Sequence, residues 1–473
     1  MSLWSAWYRA VRNLRPACNR TRTFLWLVLA LMGMSCRMDL AGVTSFVRVL
    51  GLKPRAYHRL LHLFHSKGLD QEKLTTCWLR LVPTLFKPFQ AGGVDGSERW
   101  VCLADGIKIG KEGRKMPGVK HLHQESGSNS KAEWIMGHSL QAVSLLVQGV
   151  AGQVAAVPLL SRIHEGLKFT NRDRRTLLDK LVALLLPIAE TWGRKLLLVA
   201  DAYYANRAII VPLAAKGHHL VSRVKVTAVA YRLPVQPAKR GRGRPRIYGE
   251  KVKLHDLFKD DAGWTEAPSP VYSEENVMVR YRCLDLFWKP AGRVVRFVLS
   301  CHPRGNVCLI CTDLSLEPLA IIQLYGYRFK IETGFRQAVH QVGGYLYHFW
   351  MLGMKRLHRG DGDQHLHRAS KDYRAGVRRK LGAYHAFVQI GCIAQGLMIH
   401  LSLNHTAEVW CAFRSWLRTI RPGLPPSELV VAHALRSSLP GFFREEGLEP
   451  EMTKILGPYL DPAWAEDPPE WAA

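Results

Sequence analysis

The spacing of apolar and polar positions divides the chain into stretches of different period. Up to about residue 90, apolar side chains recur at helical intervals. Phe24 to Met34 is an apolar run of 11 residues flanked by Arg22 and Arg37. A bilayer crossing needs about 20 such residues, so the run predicts a buried helix. Asp39 to Leu50, a turn at Gly51, and Lys53 to Ser66 read as two short amphipathic helices around a glycine. That is the outline of a helix-turn-helix, with Arg55, His58 and Arg59 on its second helix. Plain helical packing gives the same pattern, and the two readings stand level.

From Arg99 to Arg223 strand and helix periods alternate. Arg99 to Ala104 predicts a strand ending at Asp105, and Gly106 to Gly110 opens a basic hairpin carrying Lys108. Gly137 to Val147 is a second strand, Asn171 to Trp192 a helix, and Lys195 to Ala200 a continuous apolar strand ending at Asp201. A helix over Ala205 to Lys216 and a strand over His219 to Val224 follow. Strands without polar alternation belong in a sheet covered on both faces, which makes the class α/β. Lys225 to Thr312 turns β-prone, irregular and rich in Arg, Pro and Gly, as an insertion would be. Ser315 to His340 then predicts one long helix carrying Glu332. Further helices are expected over Tyr345 to Leu357, Tyr384 to Leu403 and Glu408 to Ile420, with a poorly ordered, acidic, Pro-rich tail beyond Pro440.

Composition sharpens this picture in one respect. Hydrophobic residues at 48% and charged residues at 22% of 473 are ordinary for a folded chain. Lys plus Arg is 66 against 38 for Asp plus Glu, a net charge of +28. Self-repulsion on that scale opposes compaction, so the excess points to a polyanionic partner. Met1 to Arg15 mixes Trp, Tyr and Arg without an export-signal pattern, and ten scattered cysteines fit reduced thiols. A cytoplasmic, nucleoid-associated protein with no membrane partner is expected. Cys301, His302, Cys308 and Cys311 fall close together, but on a predicted hairpin, Arg293 to Cys301 and Val307 to Thr312. Strand side chains three apart face opposite sides, so packed thiols are expected there and not a zinc site.

The carboxylates are the chemical feature. Asp105 and Asp201 each follow a buried apolar strand, where ligands of α/β sheets bind. Converging carboxylates beside a basic surface are what a two-metal phosphoryl-transfer site requires. A lone Asp in either place is also a ready turn or helix-cap residue. Tyr325, Arg328 and Glu332 are spaced three and four apart, on one helix face.

The stretch Tyr325-Gly-Tyr-Arg328-Phe-Lys-Ile-Glu332 resembles the signature of the DDE transposases of bacterial insertion sequences, in the group marked by Tyr, Arg, Glu and Lys on one helix. Leu103-Ala-Asp105-Gly resembles that family's first-aspartate strand, and Leu198-Val-Ala-Asp201-Ala-Tyr-Tyr-Ala-Asn its second. The family's lysine falls on Val339, and His340, Arg336 or Lys330 is left to replace its phosphate contact. The resemblance implies a ribonuclease H-like mixed-sheet core with a β-rich insertion. Its expected order is a helical DNA-binding region over 1–95, core over 96–224, basic insertion over 225–313, the Glu helix over 314–342, and a helical region over 343–473. It implies that Asp105, Asp201 and Glu332 bind two Mg²⁺ ions, with Mn²⁺ able to substitute, and that Tyr325 and Arg328 hold the DNA backbone. The implied activity is cut-and-paste transposition. Its partners would be double-stranded terminal inverted repeats, target DNA and a second copy of the chain. A metal-dependent nuclease that cuts without joining, and a transposase-derived DNA-binding regulator without catalysis, are the rival readings. Arg242-Gly-Arg244-Pro resembles the core of an AT-hook, so Arg242, Arg244 and Arg246 are expected to contact DNA, as is Lys108.

Overall fold

A computed structural model describes residues 2–124, 132–235 and 246–466. In chain order the helices α1 (Leu3–Arg12), α2 (Thr21–Cys36), α3 (Val43–Val49), α4 (Ala56–Leu63) and α5 (Gln71–Leu85) come first. Strands β1 (Lys87–Pro88), β2 (Gln90–Gly92), β3 (Glu98–Gly110), β4 (Lys120–His123), β5 (Trp134–Gln148), β6 (Val154–Ile163) and β7 (Leu167–Lys168) follow. Then come α6 (Leu177–Trp192), β8 (Leu196–Ala200), α7 (Arg207–Ala215), β9 (His219–Val224), β10 (Val229–Tyr231), β11 (Lys251–Lys253) and α8 (Leu254–Leu257). The strands β12 (Thr265–Pro268), β13 (Met278–Trp288), β14 (Arg293–His302) and β15 (Gly305–Cys311) precede α9 (Pro318–Tyr327) and α10 (Phe329–Gln337). The chain ends with β16 (Gln364–His365), α11 (Lys371–Asn404), α12 (Thr406–Ala412), α13 (Glu428–Gly441), α14 (Pro450–Leu456) and α15 (Pro462–Glu466).

These elements form two compact units. One comprises Met1–Lys87, Gly106–Arg174 and Thr333–Ala473; the other comprises Pro88–Asp105 and Arg175–Glu332. The second unit is built on a mixed sheet. β3 pairs in parallel with β8, and β8 in parallel with β9. From β9 the pairing turns antiparallel through β15, β14 and β13 to β10 and β11. The Arg-rich stretch after Lys225 therefore extends the same sheet. All five residues of β8 are buried, as an all-apolar strand requires. α6 begins at Leu177, later than Asn171, because Thr176 and Asp179 close a capping box there.

Four other expectations are corrected by the structure. β3 does not turn at Gly106 but continues extended to Gly110. The helix over Ser315 to His340 breaks at Arg328 into α9 and α10. Around the break the Arg328 and Ile331 amides bond to the carbonyls three residues back, Tyr325 at 3.1 Å and Arg328 at 3.2 Å. Residues Tyr345 to Leu357 form no helix. Their carbonyls are taken by distant donors: Lys111 Nζ reaches Tyr345 O at 2.6 Å and Tyr347 O at 3.2 Å, and the Tyr384 hydroxyl reaches Tyr345 O at 2.9 Å. Of Glu408 to Ile420 only the part within α12 is helical. From Trp416 to Ile420 the side chains are exposed, and without a face to bury a helix of that length gains too little to form.

The first unit packs α11 against α2, α5 and β6. α11 is the one helix among the described residues long and apolar enough to cross a membrane, and 94% of its apolar window is buried inside the protein. α2 is buried continuously from Phe24 to Cys36, as its apolar run predicts. The expected disordered tail is instead structured to Glu466. Buried Arg436 on α13 donates to Cys36 O at 2.9 Å and Arg37 O at 3.1 Å, capping the last carbonyls of α2.

Candidate active site

The candidate catalytic residues lie in the second unit. In β3, Val101 to Ala104 are fully buried, and the pairing with β8 ends at Leu103 opposite Val199. Asp105 is the first residue past this paired, buried stretch, with its side chain 19% exposed. Asp201 leaves β8 in the same way and caps a short helical turn, Ala202–Tyr204: its Oδ1 accepts from Tyr203 N at 3.0 Å. The capping reading of this aspartate is thus met, with its other carboxylate oxygen outside that bond. Ser222 Oγ on β9 donates to the Asp201 carbonyl at 2.6 Å and ties the strand exit down.

Arg328 organises the rest. Its Nη1 lies 3.3 Å from Asp105 Oδ2 and its Nη2 lies 2.5 Å from Glu332 Oε1. Burial opposes the guanidinium's charge, but Glu332, Tyr325 and Asp105 more than offset it and raise its pKa above the ordinary value. The Tyr325 phenol is raised too, chiefly by burial; Arg328 and Arg223 pull it down while Asp201 pushes it up. The side-by-side placement of Arg328 and Glu332 therefore survives the break in the helix, Arg328 reaches Asp105, and the charge of Asp201 is felt at Tyr325.

Lys330 is half-buried with Nζ 4.2 Å from the ring centre of Tyr272, and burial lowers its pKa. Tyr272 stacks on Tyr327 at 5.8 Å and is raised by burial and by the charge of Glu332. Neither Tyr272 nor Arg223 stands out in the sequence, because only the folded insertion and β9 bring them here. The other expected DNA-contacting residues are placed as follows. Lys108 belongs to the other unit, where its Nζ donates to His123 O at 2.7 Å. Arg336 is exposed on the last turn of α10, and Arg246 is exposed ahead of β11. Arg242 and Arg244 lie outside the described residues.

Among the described residues no three His, Cys, Asp or Glu side chains stand close enough to share one metal ion. Asp105 and Glu332 meet at a guanidinium, and Asp201 acts on the neighbouring Tyr325 through its charge. The donor chemistry suits a hard divalent cation, since all three groups are carboxylates, but Arg328 now balances two of them. The four residues around the β14–β15 hairpin hold no such donor set. Cys308 and Cys311 are buried thiols pushed up to about 12 by desolvation.

In this unit two strand-exit carboxylates stand beside a helix-borne Arg and Glu. A sequence model described as DDE superfamily endonuclease matches residues 13–282, more than half of the chain, and the chain belongs to this family. Membership supports transposase or nuclease activity on DNA, and members of the superfamily use divalent metals. The matched segment contains Asp105 and Asp201 and ends before Glu332. No curated protein matches the chain.

Proposed function

We propose that the chain is a transposase that cuts DNA at the terminal inverted repeats of an insertion sequence and joins the freed 3′-hydroxyls to target DNA. In this reading its catalytic core is ribonuclease H-like, it belongs to the group with Tyr, Arg and Glu on one helix, and two copies act on paired ends in the bacterial cytoplasm. The observation that carries the proposal is the single guanidinium of Arg328 shared by Glu332 and by Asp105, which lies 223 residues before it in the chain. The charge of Asp201 raises the pKa of Tyr325, the residue whose side chain bonds Arg328.

Asp105, Asp201 and Glu332 would hold Mg²⁺ or Mn²⁺. When bound, two such ions supply an activated attacking oxygen and a stabilised leaving 3′-oxygen. The protein's part is positional. The buried strands fix Asp105 and Asp201, and the Tyr203 amide holds one oxygen of Asp201 in place. Arg328 lies between Asp105 and Glu332 and carries paired N–H donors suited to grip a scissile phosphate. Tyr325 orients that guanidinium from one side. Lys330, seated over Tyr272, is the cation we assign to the phosphate contact that Val339 lacks, since the Tyr272 ring it covers also feels the charge of Glu332.

The test is a labelled duplex ending in the terminal repeat, incubated with and without Mg²⁺ or Mn²⁺. Nicking at the repeat boundary followed by joining, lost by about 10³-fold or more in Asp105→Asn while end binding persists, is the expected result. Nicking without joining would mark a nuclease. Binding without cleavage in either metal would mark a regulator.

A further inference from the structure

In the first unit a groove of about 860 Å³ runs along the outer face of α4. One wall is α4 itself. Ala56, Leu60 and Leu63 face the core, which leaves Arg55, His58, Arg59 and His62 on the opposite, exposed face at helical spacing. Arg22, from the first turn of α2, adds a cation at one side. The other wall comes from the far end of the chain: Lys454 on α14 and the turn that follows it, through Tyr459. None of the described residues lining the groove is acidic.

The second wall is fastened to the first by backbone bonds. Lys53 N donates to Tyr459 O at 2.8 Å and Asp461 N to Gly51 O at 2.9 Å, across an antiparallel bridge between Leu52 and Leu460. The Arg55 guanidinium lies 5.3 Å from the Tyr459 ring centre and donates to Pro458 O, while Trp26 meets Tyr459 edge-on at 5.1 Å. Gly51 sits at φ +58°, and a Cβ there would come within 2.2 Å of the Trp464 ring. The turn of the helical hairpin and the C-terminal segment are therefore bonded into one surface, on which Arg59 and Lys454 stay exposed.

We propose that this groove binds the sugar-phosphate backbone of duplex DNA, with the C-terminal segment as half of the binding surface. The inference rests on DNA being the substrate and adds a second contact surface distinct from the carboxylate centre. Small anions are held in enclosed sites with few donors, whereas a backbone track needs a row of exposed cations. From Arg55 to His62 the helix advances roughly 10 Å, the length of about three base pairs measured along the duplex axis at roughly 3.4 Å each. Four permanent cations, Arg22, Arg55, Arg59 and Lys454, line the groove.

The experiment measures binding of the full chain to a duplex of about 30 base pairs by fluorescence anisotropy, in chelator, across a salt series. Arg59→Ala and Lys454→Ala are compared with Lys259→Ala, an exposed lysine of the other unit. Each groove substitution is expected to weaken binding about three- to tenfold near 0.15 M salt and to lower the slope of log affinity against log salt by about one, with the control unchanged. Circular dichroism establishes that each variant is folded. A Lys454→Ala slope equal to wild type would overturn the joint surface, and so would tighter competition by single-stranded RNA or inorganic phosphate than by duplex DNA. The outcome is separable from the catalytic reading. Asp105→Asn keeps the full slope if the groove is right, and cleavage at low salt survives loss of the groove if only the groove is wrong.

Discussion

The carboxylate centre and the α4 groove handle like charge in opposite ways. In the centre, acidic groups that would repel one another are brought to a shared arginine, whose two terminal nitrogens reach Asp105 and Glu332. In the groove, Arg22, Arg55, Arg59 and Lys454 stand together with no carboxylate among the described lining residues. Partly buried charges must be matched within the protein or lose their charge, while exposed ones are eased by water and salt. The difference also separates function: a balanced cluster is poised for exchange of its counter-charge, and an unbalanced one waits for a polyanion.

The largest effect that would break this contrast concerns the second unit's habit of pairing its charges. Arg99 and Asp313 form a 2.7 Å ion pair with side chains only 9% and 4% exposed, and Ser315 N and Oγ also donate to the aspartate at 3.0 and 2.7 Å. Asp313→Ala leaves a buried guanidinium unmatched and is expected to cost about 3–5 kcal/mol in denaturant unfolding. A loss within about 0.5 kcal/mol, the range of ordinary surface substitutions, would mean this pairing contributes nothing.

A smaller effect tests whether Arg328 stands in for a cation. Arg328→Gln removes the counter-charge and is expected to tighten Mn²⁺ binding about tenfold, read by paramagnetic resonance of the free ion, even as cleavage falls. Weaker Mn²⁺ binding would assign Arg328 to holding the carboxylates in place. The smallest concerns a cation of the first unit that is not exposed. Burial lowers Lys111 to about 7 from 10.5. Below about pH 7 the folded and unfolded chains both carry its proton and the burial penalty is present in full. Between there and the ordinary lysine value the unfolded chain binds the extra proton, so stability rises with pH by up to about 1.4 kcal/mol per unit. Lys111→Met should flatten that rise in thermal unfolding between about pH 7 and 10; an unchanged slope would place the titration elsewhere.

Much of the second unit was legible in the sequence because its signals are local. The all-apolar Leu196–Ala200 and the run into Asp105 announce buried strands, and four-residue spacing puts Arg328 and Glu332 side by side. What escaped depends on partners far along the chain. Tyr345 to Leu357 has helical spacing, yet Lys111 and Tyr384 claim its carbonyls. The acidic, Pro-rich tail looks unstructured until Gly51 and Lys53 supply its bonds. The break at Arg328 has no Pro or Gly at that position to signal it, and Tyr272 reaches the site only through the fold of the insertion.

Glu332 offers the most direct test of the central claim, because it lies beyond the family-matched segment and rests on geometry and motif alone. The measurement is single-turnover cleavage of a terminal-repeat duplex by wild type and Glu332→Gln in Mg²⁺, at protein concentrations that saturate binding. The account predicts equal binding and a cleavage rate at least about 10³-fold lower in the variant. Cleavage by Glu332→Gln within about twofold of wild type would contradict it and remove Glu332 from the centre.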